Sequence, residues 1–392
     1  MRKNLLLFTI IMLSCFSFSL ALSINSTAIL DNYYKGLNAP KESLAGTWGN
    51  FTAWGQSCQH LATDPEGNIW VTNYGAPGRG GVFVFNSKGA QLSFSPITTG
   101  ITFSGETLNI REAGGVAYNP TDGLMYVTSR DTSALSPSRI YRYDRTTGAP
   151  TTGINNPWGN PAAIDIDTAG IIYAANKLNP SFVTIDPVSG FITSSTGVTG
   201  GINRGGCVTP DGSRFFVAND GSDNVIVFSG STSGGYTQIT TFAAESASDP
   251  TAVNIIDDVI AVSKTALYKI EFYNLSDYSY LGMVDMKSSL EGLGSLINGP
   301  VKPRGVTISS DSTKFYTANF SSVGPMVGVI PLDNTSVVVD NAGSGDFTSI
   351  QAAINSWSSG GTYAAGTAPF VIKVKEGSGP YDEAMSLNSA TT

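Results

Sequence analysis

A degenerate repeat runs through most of the chain and limits what it can fold into. Each copy has a short apolar segment, a polar turn rich in Asp, Gly or Pro, and a second apolar segment. Most copies continue into a third segment in which large apolar and polar residues alternate, which is typical of β-strands. The six copies begin at His60, Gly115, Ala163, Gly205, Ala252 and Gly305.

A large apolar residue in the second segment measures the length of each repeat. It is Trp70, Tyr126, Tyr173, Phe216, Ile260 and Tyr316, at steps of 43 to 56 residues. Steps of this length hold one four-stranded sheet with its loops. Sheets arranged radially cover one another, and a closed ring leaves few free edges. The repeats therefore predict an all-β chain with a six-bladed β-propeller, in which residues around 27–30 or 51–54 complete the last blade.

The phrases of the repeat resemble those of a known family. WVTNYG, PDGSRFFVANDGSDNVIVF and KPRGVTISSDSTKFYTAN are similar to the NHL and YVTN β-propeller repeats, over about residues 55–335. The resemblance implies the propeller fold but leaves the function open, because such propellers serve as enzymes, ligand binders and scaffolds. The fifth repeat departs from the family pattern, since IIDDVIAVSK lacks both the Gly turn and the closing Asn.

The pattern changes near Ser336. SVVVDNAGSGDFTSIQAAINSW predicts a strand, a Gly-rich turn and a helix at about 349–357 with one apolar face, and FVIKVKEGSGPYDEAMSL predicts a further strand. At 343–354 and 379–383 these phrases resemble the opening of pectinesterase-like right-handed β-helices. The resemblance implies that residues 336–392 are a strand-helix-strand cap of a β-helix, cut off before the family's catalytic Asp, Gln and Arg. A complete but degenerate appendage is the alternative.

The N-terminus predicts a secreted protein. Two basic residues precede a long apolar stretch, and small residues at Ala21 and Ser23 form a cleavage site. We expect residues 1–23 to be a signal peptide, residues 24–335 to be the propeller domain, and the mature chain to be extracellular or periplasmic. An uncleaved membrane anchor is the alternative.

The overall charge argues against two classes of partner. The net charge is −8 and the isoelectric point is near 4.7. Nucleic acids and anionic membrane surfaces select basic patches, so neither is an expected partner of the mature chain. An anionic polysaccharide or an extracellular protein is the expected partner, through a local basic site.

Two cysteines remain once a signal peptide is removed. Cys58 and Cys207 belong to the first and fourth repeats. These repeats face each other across a six-bladed ring, farther apart than a disulfide allows. We therefore expect both thiols to be unpaired.

A candidate ligand site lies at one mouth of the predicted channel. Arg204 and Arg304 occupy the same position of their repeats, where Gln59 stands in the first copy. Two guanidinium groups at one mouth can hold a carboxylate or a sulfate by forked hydrogen bonds. Local salt bridges, with Glu112 and Asp249 as candidate partners, are the alternative role.

His60, the only histidine, begins the inner strand of the first repeat near the same mouth. Streptogramin-lyase-like propellers use a histidine base in such a place, so that resemblance implies a catalytic alternative to a plain hydrogen-bonded residue. We predict Gln59, His60, Arg204 and Arg304 as ligand-binding residues, and we assign no catalytic residue, metal or cofactor.

Asparagine recurs after the second strand of four repeats, at Asn73, Asn176, Asn219 and Asn319. A ring of Asn can bind a divalent metal, as in gluconolactonase-like propellers. No Asp or Glu repeats beside these residues, whereas a metal site needs convergent carboxylates. We expect the amides to bond the backbone of the repeated turn instead.

The sequence leaves three functions open, because it contains no complete catalytic constellation. The leading hypothesis is a secreted recognition module joined to the start of a carbohydrate-active, pectinesterase-like β-helix. One alternative is a propeller enzyme of lactonase or lyase type with its site at the channel mouth. The other is that the intact gene product is a pectinesterase-like polysaccharide-modifying enzyme.

Overall fold

The computed structural model describes residues 46–48, 57–75, 80–103, 106–110, 112–130, 139–155, 161–177, 182–195, 202–256, 258–286, 302–309, 314–320, 327–331, 336–339 and 371–374. The expected signal peptide at 1–23, the expected closing strands at 27–30 and 51–54, and the expected helix at 349–357 lie outside these residues. Among the residues described, no helix is long and apolar enough to cross a membrane.

The described residues are built of β-strands, with two single-turn 3-10 helices at Asp220–Ser222 and Thr265–Leu267. The first strand is β1 (Gly46–Trp48), and the next strands form six sequential modules within the described ranges, numbered I to VI. Module I contains β2 (Ser57–Thr63), β3 (Ile69–Tyr74) and β4 (Gly81–Phe85), and a hairpin follows from β5 (Thr99–Phe103) and β6 (Glu106–Asn109). Module II contains β7 (Glu112–Tyr118), β8 (Leu124–Arg130), β9 (Arg139–Asp144) and β10 (Pro150–Asn155).

The remaining modules repeat this plan. Module III contains β11 (Pro161–Ile166), β12 (Ile172–Asn176), β13 (Phe182–Asp186) and β14 (Gly190–Ser195), and module IV contains β15 (Asn203–Val208), β16 (Arg214–Asn219), β17 (Asn224–Ser231) and β18 (Gly235–Phe242). Module V contains β19 (Pro250–Ile256), β20 (Val259–Lys264), β21 (Lys269–Asn274) and β22 (Tyr280–Asp285), and module VI contains β23 (Pro303–Ile308), β24 (Lys314–Asn319) and β25 (Val327–Pro331). Each module is a set of antiparallel neighbours. The prediction of an all-β chain is confirmed, and the modules are antiparallel sheets.

The first strands of the modules contact one another in a closed cycle. β2 contacts β7, each later first strand contacts the next one, and β23 returns to β2. Six buried apolar clusters in the described part accompany these contacts, and each combines side chains of two neighbouring modules. Phe83 of module I, for example, packs in one cluster with Tyr316 of module VI. A sheet that cannot cover its own faces thus buries them against its neighbours.

The last module is completed by the start of the chain. β1 pairs antiparallel with β25, so that Gly46 lies opposite Val329 and Trp48 opposite Val327. The closing strand among the described residues is therefore 46–48 and not one of the two segments expected from the sequence. A strand of three residues is too short to show an alternating pattern, which is why the sequence did not reveal it.

The observed pairing corrects the fifth repeat by one residue. In module IV the register between the first and second strands shifts next to the pair that contains Asn219. In module V it shifts next to the pair that contains Lys264. The position that measures the repeat lies three residues before this pair, so in the fifth repeat it is Ala261 and not Ile260. Lys264 takes the place that Asn has in other modules, and it is buried.

Two further strands pair in parallel. β26 (Ser336–Val339) lies beside β27 (Val371–Val374), with Ser336 opposite Val371. They fall where the sequence predicts the two strands of the 336–392 segment. The helix expected between them lies outside the described residues.

Candidate functional site

The same position in each first strand interrupts the pairing with the second strand. In β15 the register shifts between Asn203 and Gly205, and the first strands of the other five described modules shift at the equivalent point. An extra residue in one strand of an antiparallel pair bends that strand and re-aims its side chain. The six residues at this position all line one pocket: Gln59, Gly114, Ala162, Arg204, Thr251 and Arg304.

We call this pocket the mouth pocket; its empty volume is about 420 Å³ with open solvent included, and Tyr74, Glu112 and Lys177 line it as well. A second cavity, the channel cavity, has an empty volume of about 790 Å³ with open solvent included, and it is lined by residues of all six first strands of the described modules. His60 lines both cavities. The structure therefore brings together all four residues that the sequence singled out, Gln59, His60, Arg204 and Arg304.

His60 is held from two sides. Its backbone N–H donates to Thr72 Oγ1 at 3.0 Å, and its Nε2 lies 3.2 Å from the carbonyl oxygen of Arg204, three modules away around the cycle. A carbonyl only accepts, so Nε2 carries the proton of this bond and the lone pair stands on Nδ1. Burial, reinforced by the charge of Arg304, lowers the pKa of His60 to about 4, against the hydrogen bond to Arg204. The imidazole is neutral at neutral pH.

Arg304 is a buried cation on which the charges of Asp220 and Asp249 act without a salt bridge. The residue is only 7% exposed, and its guanidinium carbon lies 3.3 Å from the centre of the Phe320 ring. Nη1 donates to Gln59 Oε1, whereas Nε is buried without a hydrogen-bond partner. Burial, and then the charge of Arg204, lowers the pKa of Arg304 to about 9. The described residues place no carboxylate in a salt bridge with it.

Arg204, by contrast, is paired. Its Nε and Nη2 atoms both lie 2.6 Å from Asp220 Oδ2, and Nε lies 3.7 Å from Asp249 Oδ1. Of the two salt-bridge partners considered from the sequence, Asp249 is found at the longer distance and Glu112 is not found in a bridge with either arginine in the described part. Sequence reasoning missed Asp220, although it directly follows the closing Asn219 of the fourth repeat.

The two carboxyl groups beside Arg204 also interact with each other. Burial first, and then the hydrogen bond and charge of Asp220, raise the pKa of Asp249 to about 6. Burial alone would raise the pKa of Asp220 too, but the hydrogen bonds from Asp249 and Arg204 hold it below its ordinary value. The proton of this pair therefore resides on Asp249.

The recurring asparagines are buried within the modules. Asn219 Oδ1 accepts the N–H of Ser222 at 2.9 Å, and Asn319 Oδ1 accepts the N–H of Lys302 at 3.2 Å. Only the Asn219 contact is of the turn-bonding kind expected from the sequence, because Lys302 lies 17 residues before Asn319. The side-chain amides of Asn73 and Asn176 are buried and have no hydrogen-bond partner among the described residues. In the part of the chain that the structure describes, no group of three or more His, Cys, Asp or Glu side chains is placed to hold a metal ion.

Both cysteines of the described modules are buried and free, as expected. Burial raises the pKa of the Cys58 thiol and that of the Cys207 thiol above the ordinary range. Such thiols are protonated and poorly nucleophilic, so neither is a candidate nucleophile.

Comparison with known proteins gives partial matches of low identity. No protein-family model matches the chain, and neither does any curated protein. Selenomethionine-substituted virginiamycin B lyase from Staphylococcus aureus superposes with a TM-score of 0.48 and 14% identity, over 72% of this chain and 97% of that chain. A streptogramin B lyase has a TM-score of 0.48 and 12% identity, over 73% of this chain and 96% of that chain. Identities and TM-scores this low do not bear on the activity of this chain.

Proposed function

We propose that modules I to VI are the blades of a six-bladed β-propeller of the NHL/YVTN type, and that its mouth pocket binds a small anionic group. The expected ligand is a carboxylate or a sulfate of an extracellular polysaccharide. The closed cycle of first strands and the cluster between modules VI and I support the ring. The state of Arg304 carries the proposal of an anion.

A buried cation without an anionic partner is costly, and proteins normally pair it. Arg304 is buried, yet Gln59 gives it only a neutral acceptor, and its Nε has no hydrogen-bond partner. An oxyanion in the mouth pocket would supply the missing charge. It would also accept forked hydrogen bonds from the guanidinium, which is the geometry that selects carboxylate and sulfate.

The other walls of the pocket suit a sugar that carries such a group. Tyr74, Asn203 and Thr251 line the pocket together with Arg304. Binding sites of this kind combine apolar or aromatic walls with a few placed polar groups. Arg204 contributes less to the attraction, because Asp220 already holds it.

Calorimetric titration with a galacturonate dimer, its methyl ester and sodium sulfate tests this proposal. We expect the two anions to bind and the ester, which lacks the charge, to bind far more weakly. Arg304→Gln should weaken binding of the anions by roughly tenfold to a hundredfold, the scale of hydrogen bonds to a charged group. Arg145→Gln is the matched control, because it removes the same charge from an exposed ion pair with Glu66.

Stability separates a ligand-binding role of Arg304 from a structural one. Since the described residues give Arg304 no salt bridge, Arg304→Gln should unfold at a urea concentration no lower than that of the unmodified protein. Equal anion affinity in Arg304→Gln and Arg145→Gln, or no anion binding by the unmodified protein, contradicts the proposal.

The neutral state of His60 favours a second candidate, a lyase-type enzyme. His60 and Arg304 both line the mouth pocket, so a neutral imidazole could take a proton from a substrate there while the guanidinium stabilises the developing negative charge. A pKa of about 4 makes this base a weak one. An absorbance assay for an unsaturated product, lost in His60→Ala and kept in Arg145→Gln, would favour this candidate over simple binding.

We propose further that the chain is secreted and that residues 336–392 begin a pectinesterase-like right-handed β-helix. The parallel pairing of β26 with β27 supports the second statement, because adjacent rungs of such a solenoid pair in parallel. Expression in a secreting host followed by N-terminal sequencing tests the first: the mature protein should begin near Ile24.

A further inference from the structure

Two carboxyl groups share one guanidinium at the edge of the mouth pocket. Asp220 Oδ2 lies 2.6 Å from Arg204 Nε, and Asp249 Oδ1 lies 3.7 Å from the same nitrogen. The Oδ1 atom of Asp249 is buried and accepts no hydrogen bond. A carboxylate oxygen in that position is poorly stabilised, because burial without a donor carries the full cost of desolvation.

Hydrogen bonds to its backbone hold the loop that carries Asp249 in place. Asp223 clamps it: Oδ2 accepts the N–H of Ala247 at 2.8 Å, and Oδ1 accepts those of Ser248 at 2.9 Å and Asp249 at 3.1 Å. Ala247 and Asp249 both have left-handed φ angles, 58° and 51°. Backbone in this sparsely populated region persists only where surrounding bonds over-determine it. The carboxyl pair is therefore a built feature of the fold.

The charges around Asp249 come from several elements. Arg204 faces it from β15, Arg304 from β23, and Asp220 from the turn after β16, while Asp223 is engaged in the clamp. The charges of the neighbouring elements are engaged elsewhere: Lys264 of β20 binds Glu245 and Glu271, and Lys302 lies over the ring of Tyr268.

Protonation of the pair changes the charge at the mouth. With both carboxyl groups ionised, they offset the charges of Arg204 and Arg304. With one proton on the pair, a single negative charge faces two guanidinium groups, and the site is more attractive to an anion.

We propose that the mouth pocket takes up its anion together with one proton, which the Asp220–Asp249 pair holds. This inference rests on the proposed anion-binding function. The step is a protonation only: a proton from solvent forms an O–H bond on Asp249, and the anion enters beside Arg304. The result is a site that captures its ligand in mildly acidic surroundings and releases it as the pH rises.

The pH range follows from the pKa of Asp249, about 6, which burial and Asp220 raise. Below this value the pair already holds the proton, and the affinity is high and constant. Above it, anion binding raises the pKa of the pair and draws part of a proton from solvent, so the affinity falls as the pH rises until the pair is ionised in the bound state as well. One extra charge at this site corresponds to roughly tenfold weaker binding at pH 8 than at pH 5.

Sulfate is the probe, because its own charge does not change between pH 5 and pH 8. Calorimetric titration in buffers of different ionisation enthalpy counts the protons taken up for each sulfate bound. We expect net uptake near pH 7 and none at pH 5. Asp249→Asn should bind sulfate with an affinity close to that of the protein at pH 5, at every pH, and without proton uptake.

Two matched variants identify the group that takes up the proton. Asp258→Asn removes one exposed carboxylate and should keep the full pH dependence. Asp165→Asn should keep it too; this control is needed because burial raises the pKa of Asp165, in the channel cavity, to about 6 as well. The inference is wrong if Asp165→Asn loses the pH dependence and Asp249→Asn keeps it.

These measurements separate a failure of the proposed anion-binding function from a failure of the proton coupling. No sulfate binding at any pH contradicts the proposed function itself. Sulfate binding with equal affinity from pH 5 to pH 8 and no proton uptake leaves the anion site standing and refutes the coupling. The proton count on the unmodified protein decides this even if Asp249→Asn does not fold.

Discussion

The closest approach between neighbouring first strands occurs at glycines, and one of these glycines lies at the seam where the cycle closes. A Cβ atom on Gly305 of module VI would stand 2.8 Å from His60 Cα and 2.9 Å from Leu61 N. Gly115 and Gly205 meet the first strands of modules III and V in the same way. Gly305→Ala therefore tests whether the first and last modules are in contact.

The cost of Gly305→Ala can be worked from these distances. Both clashing atoms belong to the backbone, so relief requires a shift of a whole strand, and overpacking of this kind costs about 1–3 kcal/mol. Gly305 does not have a left-handed φ, so loss of flexibility in the unfolded chain returns about 0.4–1 kcal/mol. We expect a net loss of about 1–2 kcal/mol of unfolding free energy, measured by urea denaturation.

Gly234→Ala is the control for the same chemical change. Its Cβ would meet only the Ser231 hydroxyl, at 3.1 Å, and a flexible hydroxyl can move. This variant should be as stable as the unmodified protein or slightly more stable. If Gly305→Ala unfolds at the same urea concentration as Gly234→Ala, β23 and β2 are not packed together and the cycle is not closed as described.

Two further predictions follow from buried groups. Lys264→Met should lower the unfolding free energy by about 3 kcal/mol, because it takes one of two lysine partners from the buried carboxylate of Glu271; a thermal melt in which Lys264→Met matches the unmodified protein would contradict this. Thiol titration of the mature chain should find no reactive group while it is folded and two, from Cys58 and Cys207, once it is unfolded; rapid reaction in the folded state would show that these residues are not buried.

Local patterns were sufficient to predict the modules. The alternation of residues and the Asp-Gly turns are properties of contiguous segments, so the first strands could be aligned from the sequence alone. The alignment also made Gln59, Arg204 and Arg304 equivalent, and the structure places them in one pocket. Side chains at equivalent points of a repeat meet wherever the repeat closes on itself.

The fifth module shows where local reasoning fails. The fifth repeat lacks the closing Asn that marks this position in other copies, and its alignment from the sequence is shifted by one residue. In the structure Lys264 is buried, because Glu245 and Glu271 neutralise it at 2.8 Å and 2.7 Å. The partners lie on a loop and on the next strand, and only their spatial arrangement shows that a lysine can replace the Asn.

The charged pair at the mouth was beyond sequence reasoning for a related reason. Asp220 and Asp249 approach each other because Asp223 holds the loop that carries Asp249. Asp249 has a left-handed backbone conformation there, which favours glycine over aspartate. His60 likewise reaches the carbonyl of Arg204 across the cycle. These contacts join distant modules, and no local pattern encodes them.

The position that lines the mouth pocket has a varied set of residues in the six described modules. Residues one step later in the first strands must be small where strands approach closely, as at Gly205 and Gly305. The residue before each of these small residues lies at the break in strand pairing. In the six modules described it is Gln, Gly, Ala, Arg, Thr and Arg. The fold still restricts some of these residues: a Cβ atom on Gly114 would lie 2.7 Å from Thr128 Oγ1, and Thr251 is buried. A change of ligand specificity at this position is therefore easiest in the modules where the side chain has room, and the proposed preference for anions rests on the two arginines that this chain has there.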